Sequence, residues 1–289
     1  MSARIVRQAH AKVNAFLRVL GRRTDGYHDI ESLILRVSLR DVVTVEPAEE
    51  LSLLVTGAAE GVPIDEGNLA MRAARALAAE AGGRAADRGA RISIEKRIPV
   101  AAGLGGGSAD AAATLHALDE LWGLGADVET LARVGLSVGS DVPALLHDDP
   151  VFVAGRGEVV EPVLVQPTSW VLLPIDLVVS AADAYAWWDE DPATGSDPGA
   201  LIAAAEAGTD DLLGSALFND LQLGVAARHP EVRAAVGALA DAGALGVVMS
   251  GSGPTVAALC SFATAPSIAA AFDGAVLVDA PPAPPRLGG

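Results

Sequence analysis

Residues 99–110 read PVAAGLGGGSAD, and no other stretch limits the fold as strongly. Ahead of it, Ile92, Ile94, Lys96 and Ile98 alternate with Arg91, Ser93, Glu95 and Arg97, the two-residue period of a strand. Behind it, Ala111, Leu115, Leu118 and Trp122 recur at helical spacing until Gly123 stops the pattern. A glycine loop therefore joins a strand to a helix. Such a loop is either a plain connection or a cradle, in which bare backbone approaches an anion and the unpaired N–H groups of the helix start converge on it. Ser108 can cap the helix or turn its hydroxyl toward a phosphate or metal, and the sequence leaves both open. The spacing fits neither GxxxxGK[ST] nor a clean GxGxxG, so the usual nucleotide-binding folds are not indicated.

A chain of 289 residues can bury a large core in one or two domains. Hydrophobic residues make up 51%, much of it alanine, which favours closely packed helices. The formal charge of −17 weighs against nucleic-acid partners and anionic membranes, both of which need a basic face. An anionic small-molecule substrate then requires a local positive pocket. Cys260, the single cysteine, sits in the apolar run TVAALC and reads as a small core residue. No signal peptide is visible and no apolar run is long enough to span a bilayer, so a cytoplasmic location is expected.

Strands are predicted near residues 4–9, 13–20, 42–46, 51–56 and 91–98, and helices near 68–81, 108–122 and 127–137. Further on, Trp170 to Ser180 reads as a buried strand and PEVRAAVGALADAG as a helix, with Pro230 in its first turn and Gly243 at its end. GVVMSGSGPTVAALC follows as strand, glycine turn, strand. Strands and helices mix without strict alternation, which indicates the α+β class. A boundary near residues 155–165 divides the chain into domains 1–160 and 161–289. The acidic WWDEDPATGSDPG at 187–199 and the terminal PPAPPRLGG are expected to be loosely ordered.

Four other stretches are unusual for scaffold. In AHAKVNAFLRVLGRRTDGYH, Lys12 and Asn14 share one face of a strand whose other face is Val13, Ala15, Leu17 and Val19, although a strand lysine is most often simply solvated. DGYH makes a turn that presents Tyr27 and His28, a pair able to stack on a planar ring and bond its edge, or else to sit half-buried. In VGSDVP, Asp141 precedes a helix-opening proline, so it is either a cap or a carboxylate placed to orient a hydroxyl. SGSGPT, Ser250 to Thr255, is a second glycine loop, whose bland reading is a hairpin turn.

Together and in this order, these stretches resemble the GHMP kinase superfamily, whose members carry a lysine-bearing N-terminal strand, a central glycine loop and a C-terminal glycine loop. The resemblance covers nearly the whole chain. It implies the two-domain GHMP kinase fold, with an N-terminal ribosomal-S5-like domain and a C-terminal ferredoxin-like α/β sandwich. Within the superfamily, AKVN, GRRTDGYH, GLGGGS and GSDVP are similar to the branch that phosphorylates the 2-hydroxyl of 4-diphosphocytidyl-2-C-methyl-D-erythritol in non-mevalonate isoprenoid synthesis. DGYH is the most specific of these strings.

The resemblance implies ATP as donor and Mg²⁺ as helper, with no residue assigned as a metal ligand. By motif, Asp141 would take the acceptor proton, with Lys12 beside it. Pro99 and the run Gly103, Leu104, Gly105, Gly106, Gly107 and Ser108 would wrap the ATP phosphates, with Asn68, Leu69 and Lys96 near adenine and ribose. Tyr27 and His28 would receive the cytosine, with Tyr185 sandwiching it opposite Tyr27. Asn14, Gly251 and Gly253 would line the rest of the substrate.

Ala181 stands where many relatives of that branch have a hydroxyl residue, which bears on one diphosphate contact. Trp187 and Trp188 have no assigned counterpart, and Asn219-Asp220 of FND is read as helix capping. The rival expectations are another GHMP kinase acting on homoserine, mevalonate or a sugar, and a catalytically silent relative that only binds. The aromatic set argues against the first and retention of both Lys12 and Asp141 against the second. Oligomeric state stays open between monomer and homodimer.

Overall fold

The computed structural model describes residues 4–84 and 88–280. In chain order the strands are β1 (Ile5–Arg22), β2 (His28–Ala48), β3 (Ser52–Gly57), β4 (Gly89–Lys96), β5 (Val151–Gly155), β6 (Val159–Pro162), β7 (Thr168–Leu173), β8 (Phe218–Asn219), β9 (Gly246–Met249), β10 (Val256–Cys260) and β11 (Val276–Ala280). The helices are α1 (Leu69–Ala81), α2 (Gly106–Trp122), α3 (Val128–Val138), α4 (Val142–Leu145), α5 (Ala181–Glu190), α6 (Gly199–Ala207), α7 (Asp210–Ala216), α8 (Gln222–Arg228), α9 (Pro230–Asp241) and α10 (Ala265–Ala270). The chain divides into two compact units, each assembled from several segments.

The first unit holds, of the described residues, 4–11, 39–84, 88–100 and 105–147. Here the last part of β2 pairs antiparallel with β4, Val42 to Ala48 against Glu95 to Gly89, and β3 runs parallel to β4 on its other edge. The alternation read in the sequence is realised, since Ile92 and Ile94 are buried with Val43 and Val45 while Arg91 and Glu95 point outward. Their face is covered by α1, α2 and α3 through Leu77, Leu115, Leu118, Leu131 and Val134. Buried alanines along α2, from Ala109 to Ala117, keep its side chains short enough for α1 to pack closely on it.

The second unit holds, of the described residues, 12–38, 101–104 and 148–280. Its four-stranded antiparallel sheet runs β11-β7-β10-β9, so that counted within the sheet the order is fourth, first, third, second. With helices on the connections this is the ferredoxin-like arrangement. β10 lies centrally, all five residues buried, with Val256 opposite Leu173 and Met249. Val171, Val225, Val232 and Leu239 fill the core between this sheet and helices α8 and α9. The start of β2 pairs with β5, and β1 pairs in parallel with the short β8, where the rings of Phe16 and Phe218 stack at 5.4 Å.

Three expectations need correction. The strand predicted from Trp170 to Ser180 ends at Leu173, because Pro174 has no N–H to continue a ladder. The strand predicted at 42–46 is the tail of the 21-residue β2, whose earlier half lacks clean alternation because both faces are largely covered. Segment 187–199 is not loose. Trp187 and Trp188 lie in α5, Trp188 is buried and donates to the Ala193 carbonyl, Thr194 donates to Val19, and the Gly195 N–H donates to Asp220. Acidic composition marked the solvated side of this segment and hid its anchors. The terminal PPAPPRLGG lies outside the described residues.

Candidate functional site

The predicted site residues fall into three groups. The first, in the first unit, gathers around the start of α2. Gly105 takes a left-handed conformation (φ 69°) as the N-cap residue and contributes no side chain, so the first N–H groups of α2 carry no side-chain cap. Ser108 sits in the first turn, two residues past Gly106, and is not the cap. A Cβ built on Gly107 would stand 3.3 Å from Leu69, and one on Gly139 would stand 3.7 Å from the Ser108 hydroxyl. Segments 68–69, 106–108 and 139–141 are thereby brought together. Asn68 is the N-cap of α1, accepting from the Ala70 N–H at 2.9 Å and donating to the Pro63 carbonyl at 2.8 Å. Asp141 opens the four-residue α4 beside Pro143, but its carboxylate makes no capping hydrogen bond.

Lys96 belongs to this group by position, and its ammonium is engaged within the protein. It ion-pairs with Asp41 and, at 2.7 Å, with Asp110, all three side chains being buried. Loss of solvation pushes the Asp110 carboxyl up to about 7, with the Asp41 charge adding to the rise and Lys96 opposing it.

The second group lies in the second unit, around Lys12. This lysine is 3% exposed, and its Nζ donates to Asn14 Oδ1 at 2.5 Å. Asn14 Nδ2 donates to Ser32 Oγ, which donates to the Phe16 carbonyl, so the lysine is oriented by a buried relay. The Lys12 N–H donates to the carbonyl of Leu104, which ties the strand to the glycine loop. That loop is laid against SGSGPT: Ser250 Oγ donates to the Gly103 carbonyl at 3.1 Å, and the Thr255 N–H donates to Ala102. Gly103, at φ +74°, has the carbonyl oxygens of Ser250 and Gly253 where a Cβ would stand. Gly251 has Lys12 Nζ at 2.7 Å from the same place, so glycine is required for the lysine to lie there.

Asn219 completes this group and does more than cap a helix. Its Oδ1 accepts from the Leu221 N–H, as expected of a cap, but its Nδ2 donates to the carbonyls of Met249 and Gly251 at 2.7 Å each. Asp220 accepts from Val19 and Gly195, and burial raises its pKa.

The third group is aromatic. The His28 ring stacks on Tyr185 with centroids 4.7 Å apart, meets Trp188 edge-on, and places Nε2 2.8 Å from Asp189 Oδ1. Tyr27 is half exposed, with the Arg156 guanidinium 4.7 Å over its ring. The structure thus brings His28 and Tyr185 into direct stacking. Asp189 was not identified from the sequence, since nothing in the run WWDED distinguishes the carboxylate that turns toward a histidine 161 residues away.

The first unit offers helix-start amides and the Asp141 carboxylate at the start of α4; the second offers a buried, oriented ammonium and a group of stacked rings. Comparison with known proteins points the same way. Residues 68–152 match the family described as GHMP kinases N terminal domain, and residues 201–278 match GHMP kinases C terminal. The chain is 45% identical to a 4-diphosphocytidyl-2-C-methyl-D-erythritol kinase from Kineococcus radiotolerans, across 89% of this chain and 82% of that protein. It is 43% identical to the kinase of the same name from Mycobacterium avium, across 91% and 83%. A crystal structure of 4-(cytidine 5'-diphospho)-2C-methyl-D-erythritol kinase superposes with a TM-score of 0.80 at 34% identity, covering 95% of this chain and 98% of that one. Homoserine kinase from Cytophaga hutchinsonii superposes with a TM-score of 0.72 at 20% identity, covering 97% and 95%, a likeness of fold alone.

Proposed function

We propose a function from the premise that this chain belongs to the GHMP kinase family: it transfers the γ-phosphoryl group of ATP to the 2-hydroxyl of 4-diphosphocytidyl-2-C-methyl-D-erythritol. The observation that carries this is the 42–45% identity to kinases of that name over at least four-fifths of both chains. The aromatic group supports it, since an uncharged pyrimidine in a protein of charge −17 is best held by stacking and edge hydrogen bonds.

In this reading Asp141 receives the proton of the acceptor hydroxyl, and Lys12 stabilises charge on the transferring group. The amides of residues 103–108, following Pro99, take the ATP phosphates, and Asn68 with Leu69 borders the adenine. Tyr27, His28 and Tyr185 hold the cytosine, while Asn14, Gly251 and Gly253 follow the rest of the acceptor. The division into domains 1–160 and 161–289 belongs to the same proposal, one family match falling on each side. So does a cytoplasmic location; among the described residues no helix is long and apolar enough to cross a membrane.

Among the described residues no three or more His, Cys, Asp or Glu side chains cluster as a metal site. Mg²⁺ would arrive with the nucleotide, since this ion keeps several waters and takes only one or two protein oxygens beside the phosphates. Ser108 Oγ, in the first turn of α2, is the hydroxyl that would reach it, and the ion would offset phosphate charge.

The test is ADP release from ATP with the cytidyl compound, mevalonate, homoserine and galactose as separate acceptors, run on the wild type and on Asp141→Asn. Turnover is expected with the cytidyl compound alone, and Asp141→Asn is expected to lower it by about 10²- to 10⁴-fold while ATP still binds. Preferred turnover of another acceptor would overturn the substrate, and an unimpaired Asp141→Asn would remove that residue from its role.

A further inference from the structure

The ladder between β2 and β4 ends at Val42 and Glu95. The next N–H groups on β4's side, those of Arg97 and Ile98, have no strand partner to continue it, and Pro99 has no N–H at all. Asp41 takes over both. Its Oδ1 accepts from Arg97 N–H at 2.5 Å and Ile98 N–H at 2.8 Å, while its Oδ2 meets the Lys96 ammonium. Lys96 reaches in turn to Asp110 Oδ2, one helical turn inside α2.

This trio is an unusual thing to bury. Asp41 is 0% exposed, Lys96 4% and Asp110 3%, so none gains from water. Asp110 Oδ1 has no hydrogen-bond partner among the described residues. Buried ion clusters of this kind seldom add stability over apolar side chains of the same size, and they are better explained by the geometry they enforce. Here that geometry concerns the two ends of the glycine loop. Ile98, fully buried and held by its N–H, lies 3.0 Å from where a Cβ on Gly106 would be, and Lys96 Nζ lies 3.4 Å from the same point. Entry at 97–98 and exit at 106–110 are thus fixed against each other through one carboxylate and one ammonium.

We infer that Asp41 is a positioning residue for the nucleotide: with Lys96 and Asp110 it clamps the two ends of the glycine loop so that the loop's amides are preset for phosphate. The inference rests on the proposed assignment of that loop to ATP. Lys96, which the family resemblance sets near adenine and ribose, then acts on the nucleotide through these carboxylates.

The test measures Mg·ATP affinity by calorimetry, together with KM for ATP and for the cytidyl acceptor, on the wild type, Asp41→Ala and Asp41→Asn. Asp41→Ala is expected to raise KM for ATP and the dissociation constant about tenfold or more, leaving KM for the acceptor within about twofold. Asp41→Asn retains an oxygen for the two N–H groups and is expected to show a smaller loss of the same kind. It carries the test alone if the alanine variant does not fold. Equal losses for both substrates would show a structural role only and overturn the inference, as would ATP binding indistinguishable from wild type. A wild-type chain that binds no Mg·ATP would overturn the underlying assignment as well.

Discussion

Asp110 is the residue whose protonation the fold changes most visibly. Buried beside Asp41 and Lys96, it holds its proton up to about 7, whereas in an unfolded chain it releases the proton near the ordinary carboxylate value. Its contribution to stability is therefore complete in acid, below the unfolded pKa, and is lost as pH rises through about 7. Denaturant unfolding of the wild type and of Asp110→Asn across pH 5 to 8 should show the difference. The wild type is expected to lose stability relative to the variant as pH rises, because asparagine keeps the shape and cannot ionise. Parallel profiles would mean that Lys96 keeps Asp110 charged throughout. Cys260 shows the opposite, inert case, since burial pushes its thiol up to about 11 and leaves it a small core side chain, as its sequence setting indicates.

At the scale of elements, the loop at 101–104 is shaped by a backbone approach that a side chain would block. An alanine at 103 would meet the carbonyl oxygens of Ser250 and Gly253 while also holding a left-handed φ. Gly61 gives a matched control, with φ +75° and nothing within 4 Å of a built Cβ. Gly61→Ala is expected to cost about 1 kcal/mol of stability from φ alone and to leave kinetics unchanged. Gly103→Ala adds the clash and is expected to raise KM for ATP at least about tenfold, measured by ADP release; equal behaviour of the two variants would detach the loop's shape from nucleotide binding. The strand, glycine loop and helix around it were legible because each announces itself locally, by a period of two, a glycine run and a period near three and a half. So were the hairpin around SGSGPT and the helix from Pro230. What escaped were pairings made across long separations: Asp41 with Lys96, 55 residues apart, His28 with Asp189, and Asn219 with Gly251. Composition misled at 187–199 for the same reason, its anchors being Val19 and Asp220 from elsewhere in the chain.

For the whole molecule, the dominant physical fact about encounter is charge. Both the nucleotide and a diphosphate-bearing acceptor are anions, and the protein they approach carries −17. Its local positive groups, Lys12 and the helix-start amides, act only at short range, and Lys12 is buried. The long-range field therefore repels both substrates. Salt shortens that field's reach from about 30 Å at 0.01 M to about 8 Å at 0.15 M, beyond which exposed charges scarcely register. Since kcat/KM includes the encounter, it is expected to rise severalfold for each substrate as NaCl is raised over this range at fixed Mg²⁺, with kcat, which follows binding, changing much less. Steady-state rates at several salt concentrations decide it. A kcat/KM that falls with salt would mean that a positive pocket outweighs the acidic surface even at a distance, and that attraction rather than repulsion governs how substrates arrive.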